Sequence, residues 1–136
     1  MVDCIFCKIL KDEIPSYKVY EDNYTVAFLD IAPVNPGHIL VIPKDHIEKF
    51  EDLDEVLLDA IMNTVQKVAK TLKTAVGVDG YNLIVNNGPD AGQIIDHFHI
   101  HIIPRKKDDG LAPLPQSKYD DGEAKKVMEK IKSALK

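Results

Sequence analysis

Three histidines occupy alternate positions in His97-Phe-His-Ile-His101, and two cysteines stand three apart at Cys4 and Cys7. Both spacings can do chemistry. Successive side chains of an extended strand alternate between faces, so the histidine run sends all three imidazoles one way and Phe98, Ile100 and Ile102 the other. A lone strand histidine is more often a hydrogen-bonded polar residue than a catalyst. Three side by side also oppose one another's protonation, because like charges disfavour the charged form. At least one then stays neutral near pH 7, and a neutral imidazole is a competent nucleophile or general base. One metal ion does not collect all three: at about 3.3 Å per residue His97 and His101 start roughly 13 Å apart, against zinc–nitrogen bonds of about 2.0–2.1 Å. The run therefore divides its work, with an end residue free for a metal and the others for chemistry.

The spacing of Cys4 and Cys7 lets two thiolates from one turn meet a tetrahedral metal. A redox pair of the thioredoxin kind needs a strand before it, which the three preceding residues cannot supply. Two buried free cysteines are the remaining alternative. Two cysteines cannot build a disulfide framework, and the start of the chain lacks the basic, then apolar, pattern of a secretory signal. No stretch approaches the roughly 20 apolar residues of a membrane span, so a soluble, cytoplasmic protein is expected.

These residues need a scaffold. Tyr17–Tyr20 and Tyr24–Leu29 are β-rich runs around Glu21-Asp22-Asn23 and predict a hairpin. Gly37–Pro43, after the Pro33–Pro36 corner, predicts a third strand with His38 at its start. Asp52 and Glu55 resemble a capping pair, and apolar residues from Val56 to Leu72 recur at three- and four-residue steps, giving one long helix ended by Gly77. Tyr81–Asn86 predicts a fourth strand, the turn-rich residues 87–92 a tight loop, and His97–Ile103 a fifth strand stopped by Pro104. Residues 105–121 lack periodicity and precede a short amphipathic helix carrying Ala124, Val127, Met128, Ile131 and Leu135. Strands without regular helix alternation predict an α+β class: a five-stranded antiparallel sheet with helices on one side. At 136 residues and 45% hydrophobic content, one domain over residues 1–136 is expected.

A formal net charge of -5 argues against binding a nucleic-acid polymer, whose affinity is built from many cationic phosphate contacts. A small phosphorylated ligand remains open. Arg105 is the only arginine, so phosphate binding would fall to histidines, backbone N–H groups or lysines. The loop Gly88–Gln93 is able to offer such N–H groups as an anion-binding concavity.

The pattern over residues 97–103 resembles the signature of the histidine-triad nucleotide-binding family. Asp3-Cys-Ile-Phe-Cys-Lys-Ile9, Asn35-Pro-Gly-His-Ile-Leu-Val-Ile-Pro43, Asn86-Asn-Gly-Pro-Asp-Ala-Gly-Gln93 and Pro104-Arg105 are similar to segments of its Hint branch. The likeness covers a core of about residues 3–105, leaving a loop and helix over 106–136. It implies that His99 attacks the α-phosphorus of a purine nucleotide conjugate, that His101 hydrogen-bonds the phosphate or leaving group, and that His38 packs beside them. It further implies phosphate and sugar contacts from Asn86, Gly92 and Gln93, ribose hydroxyls on Asp30, and a base slot lined by Phe6, Ile9, Leu29 and Ile31. Cys4, Cys7, His46 and His97 match the ligands of zinc-containing relatives, a closed set implying one structural zinc per chain. The resemblance also implies a homodimer, for which the fourth strand and long helix are the candidate surfaces. In one respect the chain departs from its branch: Ile94 stands where many members carry a hydroxyl donor. A non-catalytic nucleotide sensor or scaffold, keeping Asp30 and the apolar slot, is the alternative reading. A zinc-dependent interaction module is the third.

Overall fold

The computed structural model describes residues 3–135; Met1 and Val2 of the N-terminal stretch read above, and Lys136, lie outside the described residues. Five strands, β1 (Lys18–Glu21), β2 (Thr25–Leu29), β3 (Ile39–Pro43), β4 (Gly80–Val85) and β5 (Ile100–Arg105), form one antiparallel sheet in the order β1-β2-β3-β5-β4. Three helices accompany it: α1 (Ile5–Leu10), α2 (Glu55–Val76) and α3 (Glu123–Ala134). The expected α+β class and five-stranded sheet are present.

Strict alternation in the central strands gives the sheet two buried faces. Ala27, Ile39, Val41, Ile100 and Ile102 pack with Phe98 against Leu57, Ile61, Val65, Val68 and Leu72 of α2. Val26, Phe28, Leu40 and Ile42 pack on the opposite side with Cys4, Phe6 and Ile9 around α1. Helices on one side only was the expectation; α1 corrects it. Six residues are too few for an apolar period to show in the sequence. What starts α1 is Cys4, whose sulfur accepts the N–H of Cys7.

The long helix begins two residues later than the Asp52 pair suggested. Asp54 is its cap, accepting the N–H of Leu57 at 2.9 Å, while Asp52 closes a single 3₁₀ turn, Phe50–Asp52. Gly77 ends α2 in the left-handed conformation, as expected.

The fifth strand is displaced relative to its sequence reading. Pairing starts at Ile100 rather than His97 and runs through Pro104 to Arg105 opposite Gly80. Pro104 does not stop it, because β3 contributes its last pair at Ile39–Ile102 and leaves the strand's other side free beyond that point. The Pro104 carbonyl turns to that free side and accepts from Asn35 Nδ2 at 2.8 Å. A residue's nitrogen points the same way as its carbonyl in a strand, so the missing N–H costs no ladder bond.

Candidate functional site

The histidine run straddles the start of β5. Although residues 97–99 precede the ladder, they stay extended enough that the imidazoles share one face: His101 sits opposite Leu40 of β3, and Phe6 meets the rings of both His97 and His99 edge-on at 5.8 and 5.1 Å. Phe98, Ile100 and Ile102 point to the α2 side. From there the five histidines separate into two groups.

In the first group, His97 is fully buried and its Nε2–H donates to the Pro43 carbonyl at 2.9 Å. That bond leaves the Nδ1 lone pair facing two sulfurs, Cys4 Sγ at 3.5 Å and Cys7 Sγ at 3.7 Å. His46 Nδ1 lies 3.3 Å from Cys7 Sγ. The four ligand atoms are all within 4.8 Å of one another. Tetrahedral zinc with sulfur at about 2.3 Å and nitrogen at about 2.05 Å separates those atoms by about 3.5 Å. The donor set and spacing therefore fit that ion. His46 Nδ1 is the ring nitrogen turned to the sulfurs, which puts the ring proton on Nε2, the buried side-chain polar atom without a partner among the described residues. Burial pushes the Cys7 thiol up, with Cys4 adding to the effect. A divalent cation would reverse that by favouring the thiolates.

In the second group, hydrogen bonds decide which nitrogen of each ring carries its proton. The Val34 N–H donates to His38 Nδ1 at 3.0 Å, so the His38 proton is on Nε2 and is donated to His101 Nδ1 at 2.9 Å. The His101 proton is then on Nε2. His99 is the reverse: its Nδ1–H donates to the His97 carbonyl at 2.7 Å, leaving a bare lone pair on Nε2. Two neighbouring rings, 5.0 Å between centroids, thus present a lone pair and an N–H. Neither Nε2 has a partner among the described residues.

Burial holds all three of these imidazoles below the usual range. His101 is lowered to about 4, by desolvation first and then by the neighbouring His99 and His38. His99 and His38 are lowered by desolvation, with Asp30 opposing the shift in both and the His97 carbonyl opposing it in His99. At pH 7 the group is neutral. Asp30, just after β2, is positioned by the Ala32 N–H on Oδ1 at 2.9 Å and holds Oδ2 3.6 Å from His38 Nε2.

A cavity of about 440 Å³ opens in front of His99 and His101. Of the residues expected in a nucleotide site, Phe6, Ile9, Leu29, Asp30, Ile31, Asn86 and Gly92 line it with those two histidines. Among the described residues its wall has no lysine or arginine. A second cavity, about 330 Å³ between β1–β3 and α2, is lined chiefly by apolar residues and, among the described residues, by no histidine or carboxylate.

Gln93 stands apart from the wall. Its Oε1 accepts the Gly88 N–H at 2.8 Å and its Nε2 donates to the carbonyls of Glu48 and Ile95, so the side chain buckles the loop. The glycine loop itself turns its donors inward: the N–H groups of Ala91, Gly92 and Gln93 bond to carbonyls of Gly88 and Pro89. The concavity expected over Gly88–Gln93 therefore has few free donors. Ile94 and Ile95 follow on the cavity wall, and their N–H groups have no partner among the described residues. Nothing in the identity of two isoleucines signals this; it comes from the loop's closure. Arg105 is likewise committed, making a two-pronged pair with Asp109 at 2.7 and 2.9 Å and a bond to Asn82.

The HIT domain family model matches residues 11–108. The chain belongs to the histidine-triad family. An uncharacterised HIT-like protein of Methanocaldococcus jannaschii is 50% identical over 79% of this chain and 82% of its own. Adenosine 5'-monophosphoramidase of Schizosaccharomyces pombe is 42% identical over 99% of this chain and 100% of its own. Among solved structures, a HIT family protein of Bacillus subtilis superposes with a TM-score of 0.90 at 39% identity over 99% of both chains. A zinc-bound histidine-triad protein of Mycobacterium smegmatis gives 0.77 at 29% identity over 97% of both. With this family membership the chain is a hydrolase, the class to which its named relatives belong.

Proposed function

We propose that this HIT hydrolase cleaves a purine nucleotide conjugate at its α-phosphate, by way of a nucleotidyl group carried on His99 Nε2. The observation that supports it most is the opposed tautomers of His99 and His101 at the head of one cavity. In the first step the Nε2 lone pair forms a bond to phosphorus as the bond to the leaving amine or oxyanion breaks. The leaving group takes its proton from water at the open mouth. His101 Nε2–H and the N–H groups of Ile94 and Ile95 hold the phosphoryl oxygens. The modified imidazole keeps its Nδ1 proton, and the His97 carbonyl and nearby Asp30 offset the charge it gains. In the second step water, or another acceptor, bonds to phosphorus and the N–P bond breaks, returning the lone pair to Nε2 and releasing the nucleoside monophosphate.

Asp30 accepts from the ribose hydroxyls, and the apolar wall of Phe6, Ile9, Leu29 and Ile31 takes the base. Asn86 and Gly92 border the sugar and phosphate, while Gln93 acts by fixing the loop. His38 sets the His101 tautomer. One zinc ion held by Cys4, Cys7, His46 and His97 supplies a structural clamp between α1, the end of β3 and the approach to β5, with no open position for substrate. Residues 1–136 form a single domain that works as a homodimer, pairing through β4 and α2. Thiols arranged as metal ligands suit the reducing cytoplasm, and among the described residues no helix is long and apolar enough to cross a membrane.

Brief mixing with adenosine 5'-phosphoramidate, quenching in alkaline denaturant, where the N–P bond persists, and intact-mass measurement test the covalent step. An adenylyl adduct is expected on the wild-type chain and not on His99→Ala. Turnover without any adduct on rapidly quenched wild-type protein would overturn it.

A further inference from the structure

Beyond Asp109 the chain leaves the body of the molecule. Among residues 110–135 none is buried, and only Val127 is even partly covered. Yet α3 is a well-formed amphipathic helix, with Ala124, Val127, Met128, Ile131 and Leu135 on one stripe and lysines opposite. An isolated helix of 12 residues is marginal in water, and most helical stability comes from packing an apolar face. Here the chain's own body supplies nothing to pack against. The placement is nonetheless not arbitrary: residues 110–135 are about a fifth of the chain, and a superposition that lost them could not score 0.90 against the Bacillus subtilis structure. An arm without intrachain support that holds the same position in a crystallised relative is held by another molecule.

Where the arm starts says which one. Its root is fixed by Asp109, which is gripped by Arg105 and Asn35, and Arg105 in turn bonds Asn82 of β4. β4 is the sheet's edge, exposed on both faces, with Tyr81, Leu83, Ile84 and Val85 uncovered. A long apolar edge of this kind templates pairing with another strand. The helix carries four lysines against two glutamates in a chain of formal charge -5, so a second copy is complementary in sign. The twelve residues 110–121 span up to about 40 Å when extended, enough to cross a paired edge and reach over the neighbouring subunit.

We infer that residues 110–135 are an exchange arm: each arm crosses the β4 edge and lays the apolar stripe of α3 on a second copy of the chain. This goes beyond dimerisation through β4 and α2, in which the arm would have no part.

The test uses full-length, zinc-loaded protein in sedimentation-velocity dilution series. Met128→Asp combined with Ile131→Asp is expected to weaken the dimer roughly 100-fold or more, while Lys126→Gln on the opposite side of α3, which keeps the helix net positive, leaves it within about threefold. The arm variants do not touch the buried core, so a cooperative thermal transition of the dissociated subunit, lowered only by the lost association, confirms that it is folded. A cysteine placed at Ser133 and carrying a photoreactive crosslinker is expected to join two chains. A dimer of unchanged affinity in the double variant, a wild-type chain monomeric throughout the series, or crosslinks confined within one chain would each overturn the arm. The first of these outcomes leaves the β4 pairing standing, and none of them bears on the His99 chemistry.

Discussion

His97 and His99 are two residues apart, share one face of the sheet and both touch Phe6, yet they belong to opposite kinds of site. At His97 the Nε2–H is tied to a main-chain carbonyl, and Nδ1 faces two thiols inside a closed shell. At His99 the proton is on Nδ1, tied to the His97 carbonyl, and Nε2 faces a cavity. In both rings a backbone acceptor holds one nitrogen and so releases the other. What differs is the neighbour of the released atom. On the proposed function, the same side chain becomes a clamp or a reagent according to what its lone pair meets.

The sharpest way to break this comparison is to delete one ring from each group. His99→Ala is expected to lower kcat on a nucleoside phosphoramidate on the order of 10⁴-fold while keeping zinc at one per chain. Steady-state kinetics and metal analysis on the same preparation check both halves. Cys7→Ser should do the converse. Zinc is lost and the chain is destabilised by about 3–4 kcal/mol, the linkage expected for a ligand at 100 to 1,000 times its Kd. The fraction still folded at low temperature retains kcat within a few-fold. A Cys7→Ser protein that keeps stoichiometric zinc would remove the ligand assignment.

Acid separates the groups further. His101 titrates near 4 and His38 is also depressed, against an ordinary value near 6.5 in the unfolded chain. The unfolded state therefore takes up protons first. The stability these rings contribute is complete above about pH 6.5 and is lost as pH falls from there through about 4, by roughly 1–3 kcal/mol for His101 with its neighbours His38, His99 and Asp30. Urea midpoints measured in the Cys7→Ser background, where no zinc is left to be displaced, should retain that slope.

Smaller effects probe the open group alone. His38→Gln lets the His101 proton settle on either nitrogen, and kcat should fall about 10–100-fold with the zinc site untouched. Adding a hydroxyl at the mouth with Ile94→Ser, where a 91% exposed side chain now stands, should raise kcat/KM about 3–10-fold, the equivalent of one hydrogen bond. A rate unchanged by Ile94→Ser would mean that the neighbouring N–H groups already satisfy the phosphate.

Legibility in the sequence followed the range of the interactions. β2, β3 and α2 were readable because burial on a regular face imposes a period, and the alternation of 97–102 held even where the ladder did not extend. The short α1 and the Asp54 cap were missed or displaced, since each depends on one local hydrogen bond that several nearby residues could equally have made. Pro104 was misread as a stop because tolerance of a proline depends on which neighbouring strand has already ended. The residues of both histidine groups were nameable from spacing and family likeness. Their tautomers were not, because the partners of His38 and His97 are main-chain atoms of Val34 and Pro43 that carry no sequence signal. The same holds for Gln93, whose amide closes a loop rather than facing the cavity.

Long-range proton–nitrogen correlation of ¹⁵N-histidine-labelled, zinc-loaded protein at pH 7 tests the opposed tautomers most directly. The expected spectrum shows His99 protonated on Nδ1 with a bare Nε2, beside His101 protonated on Nε2 with a bare Nδ1. A His99 ring protonated on Nε2, or on both nitrogens, would leave no lone pair for phosphorus and would contradict the account.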